Sequence, residues 1–249
     1  MLFNRLKLND DKTEVILLGP EERRNSINLD SIKVGDSDIS IVNNVRNLGL
    51  YLDSNLSMSS HVNYIVKCCY YHLRRLGQIR KLLSKEAANA IAVASILSRL
   101  DYCNSCLWGI NLQDIERLQK IQNSAARIVS GSKRYDHISP TLRDLHWLPV
   151  EKRIQHKLLS ITYACLNHLA PEYLIETIPR YIPLRQLRSA SQLRIELPAV
   201  DETNKSRSGG KSFRNAAPKL WNSLPEGLKL SKNIQRFRKG LKTHLFLQN

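Results

Sequence analysis

Two hydrophobic periods run along this chain, and they change over near residue 57. Before it, apolar residues come in short runs or at every second position, the spacing of a half-buried strand. Thr13–Gly19 (TEVILLG) is a short apolar run closed by Gly19 and Pro20. Ser31–Val42 alternates around Gly35-Asp36, a pair that tolerates positive φ and therefore predicts a hairpin. Val45–Asp53 (VRNLGLYLD) predicts a third strand, in which Gly49 marks a bulge or a close approach by another group. The opening residues MLFNRLKLN have the spacing of the end of a helix.

After Ser59 the period is helical. Val62, Ile65, Val66, Cys69, Leu73, Leu76 and Ile79 fall on one stripe at i, i+3, i+4 spacing, with Lys67, Arg74, Arg75, Arg80 and Lys81 mostly off it. Ser84 is placed to cap a second helix from Lys85 to about Tyr102. A third is predicted over about 114–129, where Ile115, Leu118, Ile121, Ala125 and Ile128 share a face and Gly131 stands at the C-terminal stop. In SPTLRDLHWLP, Ser139 reads as a cap and Pro140 as the first helical residue. A further helix spans about 151–169 and ends before Pro171. Beyond 179 the pattern weakens into a Pro-, Ser- and Arg-rich stretch with one predicted strand at Gln192–Leu197 and little order expected over 180–210. Gly209-Gly210 reads as a joint, followed by two amphipathic pieces, SFRNAAPKLWNSLP and NIQRFRKGLKTHLF. The prediction is an α+β, mainly helical chain: a small antiparallel N-terminal sheet (1–57), a helical bundle (58–179) and a basic, partly ordered C-terminal region (180–249) with a flexible segment and two short helices.

Charge sharpens that division. Residues 1–57 hold 7 Lys/Arg against 9 Asp/Glu, residues 58–179 hold 16 against 9, and residues 180–249 hold 15 against 4. A chain that grows steadily more basic points to a polyanion, most simply nucleic acid, although an acidic membrane face has the same sign. No segment reaches the ~18 consecutive apolar residues of a membrane span, and the N-terminus lacks a signal peptide's apolar core. Five cysteines without that signal predict reduced thiols in an intracellular protein, nuclear or cytoplasmic.

Motifs for other chemistry are weak. Cys103 and Cys106 form a lone C-x-x-C with no second ligand pair for zinc, and a predicted helix rather than a strand precedes it. Cys68 and Cys69 are adjacent and point to different helix faces. The seven histidines show no H-x-x-x-H or H-E-x-x-H pattern, and SGGKS is too short for a phosphate loop. Asp136, His137 and Ser139 lie close in sequence without a nucleophile elbow. Asp10-Asp11, followed by Lys12, reads as a polar corner between helix and strand.

Four segments taken in order carry a resemblance: NRLKLNDDKTEVILLG, VRNLGLYLDSNLSMSSHV, GGKSFRNAAPKLWNSLP and FRKGLKTHLF. Together they resemble the downstream half of reverse transcriptases of non-LTR retrotransposons, the LINE class in its jockey-like branch, over almost the whole chain. The resemblance implies that Asn4–Glu14 belongs to the last part of the palm. It implies that Leu48, Gly49, Leu52 and Asp53 form the primer grip, the hairpin that holds the 3′ end of the growing strand. The helices after it then correspond to the thumb and its extension. In that family two metal ions are held by aspartates, one pair of them in an aromatic-x-Asp-Asp hairpin. No such hairpin occurs in this sequence. The resemblance therefore implies a truncated copy, or a fragment starting at an internal Met, inactive alone as an RNA-directed DNA polymerase. The whole family enzyme would use Mg2+; this chain is expected to take no cofactor.

The expected partner is RNA or DNA, bound without sequence preference and not at a membrane, and by the resemblance also the rest of a retrotransposon polymerase. The residues expected to meet phosphates are Arg74, Arg75, Arg80 and Lys81 in the bundle. In the C-terminal region they are Arg185, Arg188, Arg194, Lys211, Arg214, Arg236, Arg238, Lys239 and Lys242, with Lys205 and Arg207 among the same spaced cations. Phe213 and Trp221 are interleaved; exposed, they would stack on bases, but the spacing of Leu220, Trp221 and Leu224 favours burial. The alternative is a non-catalytic helical protein-interaction module with a basic surface.

Overall fold

The N-terminal alternation folds as hairpins. In the computed structural model, which describes residues 9, 12–35, 37–181, 193–198 and 209–248, β2 (Ser31–Val34) and β3 (Ser37–Val42) pair antiparallel from Ser31↔Ser40 to Val34↔Ser37. Gly35 sits in the intervening turn at φ +64°. β1 (Val15–Ile16) pairs with β3 in parallel, giving the order β1-β3-β2 and leaving β1 and β2 as edges. A short helix, α1 (Glu21–Asn25), lies between β1 and β2 in sequence. The helical end expected over residues 1–9 and the Asp10-Asp11 corner fall almost wholly outside the described residues.

The third expected strand is instead a second hairpin. β4 (Asn44–Asn47) and β5 (Leu50–Asp53) pair from Asn44↔Asp53 to Asn47↔Leu50. The turn is Leu48-Gly49, with φ of 48° and 83°. Both central residues have positive φ, as the right-handed twist of the strands requires of a two-residue turn. Gly49 is therefore a turn residue and not a bulge. Leucine is a poor choice for left-handed backbone, which is why the turn is hard to see in the sequence.

Two compact units divide the chain, residues 1–64 and 65–249. The long helix α2 (Ser59–Ile79) begins in the first and continues in the second. Its predicted stripe is buried at Val62, Ile65, Cys69, Leu73 and Leu76, while Ile79 at its end is exposed. A 3-10 turn (Arg80–Leu82) leads to α3 (Lys85–Ala92), where the Ser84 hydroxyl accepts from the Ala87 N–H at 3.2 Å. The helix then widens into a π turn (Val93–Leu97) before α4 (Ser98–Asp101). Ser95 and Ser98 donate to the carbonyls of Ile91 and Ala94, in competition with the helical ladder there.

After a 3-10 segment (Asn104–Leu107), α5 (Leu112–Ser130) starts at Asn111, whose Oδ1 accepts from the Asp114 N–H, and stops at Gly131 with φ 76°. α6 (Ile138–Asp144) begins at Ile138, after His137, and not at Pro140. Pro140 is its third residue, still within the first four positions whose N–H groups lack a helical acceptor, so the ring does no harm there. α7 (Val150–Leu166) follows Pro149 and α8 (Glu172–Ile175) follows Pro171. The strand expected at Gln192–Leu197 is reduced, among the described residues, to one antiparallel bridge between Arg180 and Ile195. Most of the stretch 180–210, where weak order was expected, lies outside the described residues. A 3-10 turn (Gly209–Lys211) leads to α9 (Phe213–Asn222), α10 (Glu226–Lys229) and α11 (Ile234–Leu247), the last capped by Asn233.

The C-terminal helices share a core with α7. Tyr163 stacks on Phe237 at 4.4 Å between ring centroids, with Trp221 at 5.8 Å from Phe237. Leu148, Leu159, Leu241 and Leu245 belong to the same cluster. The polar handles are satisfied: the Tyr163 hydroxyl donates to the Ser231 carbonyl at 2.6 Å, and the Trp221 Nε1–H to the Leu193 carbonyl at 2.8 Å. Packing thus gives one core to residues on both sides of position 179. The observed class is α+β and mainly helical, with a three-stranded N-terminal sheet, antiparallel apart from β1, and the separate two-stranded β4–β5 hairpin. Among the described residues no helix is long and apolar enough to cross a membrane.

Candidate nucleic-acid interface

The four positions expected to form a primer grip have distinct surroundings. Leu48 is 85% exposed at the tip of the β4–β5 turn beside Gly49, and Leu52 is half-buried in β5. Asp53 ends β5, and its carboxylate organises the chain that follows. Oδ1 accepts from the N–H groups of Asn55 and Ser57; Oδ2 accepts from the Ser57 hydroxyl and the Met58 N–H, at 2.8–3.2 Å. A carboxylate holding three backbone donors and a hydroxyl anchors the entrance to α2. On the same unit, the Arg46 guanidinium lies over the rings of Tyr51 and Tyr64 at 5.5 and 5.8 Å.

Arg74, Arg75 and Lys81 are exposed, and Arg75 lies 5.7 Å from the Tyr71 ring centroid. Arg80 is different. Its guanidinium donates to the carbonyls of Ile128 at 2.7 Å, Val129 at 2.9 Å and Leu83 at 2.9 Å. It caps the C-terminal end of α5, where unpaired carbonyls and the helix dipole both favour a cation. Arg194, Arg214, Arg236, Arg238 and Lys239 are exposed. Lys211 is half-buried, its stem laid against Gly109; a Cβ at Gly109 would meet the Lys211 Cγ at 2.8 Å. Arg185, Arg188, Lys205 and Arg207 lie outside the described residues. Trp221 is buried and Phe213 packs against the core cluster, so neither ring is presented for base stacking.

Two of the expected residues, Arg238 and Lys242, come together with cations that the sequence reading did not select. Arg153, His156, Lys157 and Ser160 are spaced i, i+3, i+4, i+7 along α7, and Arg238 and Lys242 are spaced i, i+4 along α11. These stripes line a cleft of about 370 Å³, which Asp101, Asn104, His146 and Leu148 also border. Asp101 is its one carboxylate among the described residues and is held by Arg153, with Nε at 2.7 Å from Oδ1 and a second bond from Nη2 to Oδ2. The His156 Nε2–H donates to the Arg238 carbonyl at 3.2 Å. Burial, and then the Arg153 charge, lower the Lys242 pKa from its usual value. His156 is lowered as well, first by burial and then by Arg238, Lys242 and Arg153.

A second concavity, of about 670 Å³, runs beside α5. Lys120, Asn123, Ser124 and Arg127 stand at i, i+3, i+4, i+7, joined in the lining by Ile128, Ser132 and Arg134, with no carboxylate among the described residues there. Arg127 is braced by the carbonyls of Lys133 and Asp136 at 3.4 and 3.3 Å. The sequence signal for both sites was a polar stripe opposite an apolar one. It was missed because a polar stripe ordinarily means solvent, and only packing shows that it borders a concavity.

All five cysteines are free; burial raises the pKa of Cys69 to about 12 and raises those of Cys106 and Cys165. Among the described residues no group of three or more His, Cys, Asp or Glu side chains is placed to hold a metal ion. Comparison of the chain with protein-family models, with curated proteins and with solved structures returned no match.

Proposed function

We propose that residues 65–249 bind RNA or DNA through the phosphate backbone without reading sequence, as a reverse-transcriptase-like thumb and downstream region that lacks the polymerase's catalytic aspartates. The observation that carries this reading is the groove along α5, lined by no carboxylate among the described residues, where Lys120, Arg127 and Arg134 are joined by the amide of Asn123 and the hydroxyls of Ser124 and Ser132. The charge of the unit supports it: 31 Lys/Arg stand against 13 Asp/Glu over residues 65–249. Spaced cations with neutral donors between them suit a regular array of phosphates, and an open groove suits a strand that continues at both ends. The association with a retrotransposon polymerase rests on the sequence resemblance.

The test is the salt dependence of binding to a duplex of arbitrary sequence. If six phosphates are engaged, counterion release gives a log–log slope of about −5, at ~0.9 per phosphate. Lys120→Gln with Arg134→Gln is expected to make the slope about 2 units shallower. An unchanged slope removes the groove from the interface. Absence of salt-dependent binding would leave the reading as a protein-interaction module in its place. On a primed RNA template with a divalent metal, the chain by itself is expected to incorporate no nucleotide.

A further inference from the structure

The α7–α11 cleft differs from the α5 groove in shape and in charge balance. Its volume of about 370 Å³ lies at the small end of the range for sites that enclose a small molecule. Arg153 is neutralised by Asp101, but among the described residues no carboxylate pairs with Lys157, Arg238 or Lys242. Like charges gathered in one concavity repel each other, and burial, followed by the Arg153 charge, lowers the Lys242 pKa beside them. Asn104 borders the same cleft, is only 3% exposed, and its Oδ1 accepts no hydrogen bond among the described residues. A buried acceptor without a donor carries a penalty that an incoming hydroxyl or amino group would relieve.

We propose that this cleft binds a phosphate monoester, carried by a free nucleotide or by the end of a nucleic-acid strand. A monoester brings nearly two negative charges and three terminal oxygens at neutral pH. That matches Lys157, Arg238 and Lys242 better than the single charge of a backbone diester. The sugar attached to it supplies hydroxyl donors, and Leu148 offers an apolar wall beside them. The proposal goes beyond backbone binding along α5 and does not require it, since a free nucleotide satisfies the same chemistry.

The test uses the full chain and two pairs of probes. The first pair is a nucleoside 5′-monophosphate and its 5′-phosphate methyl ester; the second is a single-stranded oligonucleotide with a 5′-phosphate and the same strand with a 5′-hydroxyl. The monoester member of at least one pair should bind about tenfold tighter than its partner. Preference within the first pair assigns the site to free nucleotides, and preference confined to the second assigns it to strand ends. Lys157→Gln and Lys242→Gln should each bring the paired affinities within about twofold, whereas Lys219→Gln, on exposed α9 surface, should not. Lys157 is exposed, so its replacement does not disturb the core. No preference in either pair overturns the proposal, as does a preference that survives both cleft substitutions. Loss of duplex binding by the α5 variants with the monoester preference intact would separate this site from the groove.

Discussion

Asp53 and Arg80 show what a charged side chain does once its neighbours are known. Each uses its charge on backbone groups that would otherwise lack partners, Asp53 on donors before α2 and Arg80 on acceptors at the end of α5. Asp53→Ala removes acceptors from three N–H groups and is expected to cost about 1–3 kcal/mol locally. Hydrogen exchange at Asn55, Ser57 and Met58 should accelerate, and unchanged exchange would show that water replaces the carboxylate at no cost. Arg80→Ala should lower stability by a similar ~1–3 kcal/mol. Arg74→Gln, at an exposed position, should leave stability within about 0.5 kcal/mol of the parent. Urea unfolding of the two variants distinguishes a capping arginine from a solvated one.

Among the elements, α5 carries the clearest start and stop, and α7, α9 and α11 depend most on one another. Gly131 closes α5 at φ 76° with open space around its Cβ position, so Gly131→Ala introduces only backbone strain, about 1 kcal/mol. Gly131→Asn should recover part of that loss, because asparagine tolerates the left-handed region; a thermal melt of both variants tests the order. Phe237 is fully buried between Tyr163 and Trp221. Phe237→Ala is expected to cost about 3–5 kcal/mol. Cutting the chain at 179 removes Trp221 and Phe237 from the cluster around Tyr163. The product should lose its near-ultraviolet circular dichroism, and a native-like spectrum would show that α7 finds another cover.

At the scale of the molecule, acid should weaken both units, each through an imidazole whose pKa burial lowers. His61, in the first unit, is 2% exposed with no hydrogen-bond partner on either ring nitrogen among the described residues, and burial lowers its pKa. His156, in the second, is lowered by burial and by the cations around it. In the unfolded chain both protonate near pH ~6.5. Below that pH the unfolded state binds more protons than the folded one. Stability is therefore fully present above about 6.5 and falls as the pH drops towards the folded pKa, by at most ~1.4 kcal/mol per pH unit for each group. All three tryptophans, at 108, 147 and 221, lie in the second unit, so their fluorescence follows that unit. Urea midpoints at pH 7.5, 6.5 and 5.5 should decline in this signal. Hydrogen exchange should show the same decline in the first unit, and His61→Leu should flatten it there alone.

The sequence determined what depends on local order along the chain. The Ser31–Val42 hairpin was legible because Gly35 supplies positive φ between alternating strands, and α5 because Gly131 ends an unbroken stripe. The buried face of α2 followed from spacing, since a 3.6-residue period leaves little freedom over which side chains point inward. The β4–β5 hairpin was hidden because Leu48 is no turn former, and the start of α6 because Pro140 is tolerated anywhere in a first turn. Tertiary structure alone decided which charges are available to a ligand. Arg80 and Lys67 look alike in sequence, yet Arg80 is taken up by carbonyls 48 and 49 residues away. Arg153 and Lys157 belong to an ordinary polar stripe until α11 brings Arg238 and Lys242 across from them. Charge acts through space and hydrogen bonds need contact, so a site built from separate helices exists only when the core around Tyr163, Trp221 and Phe237 has brought them together.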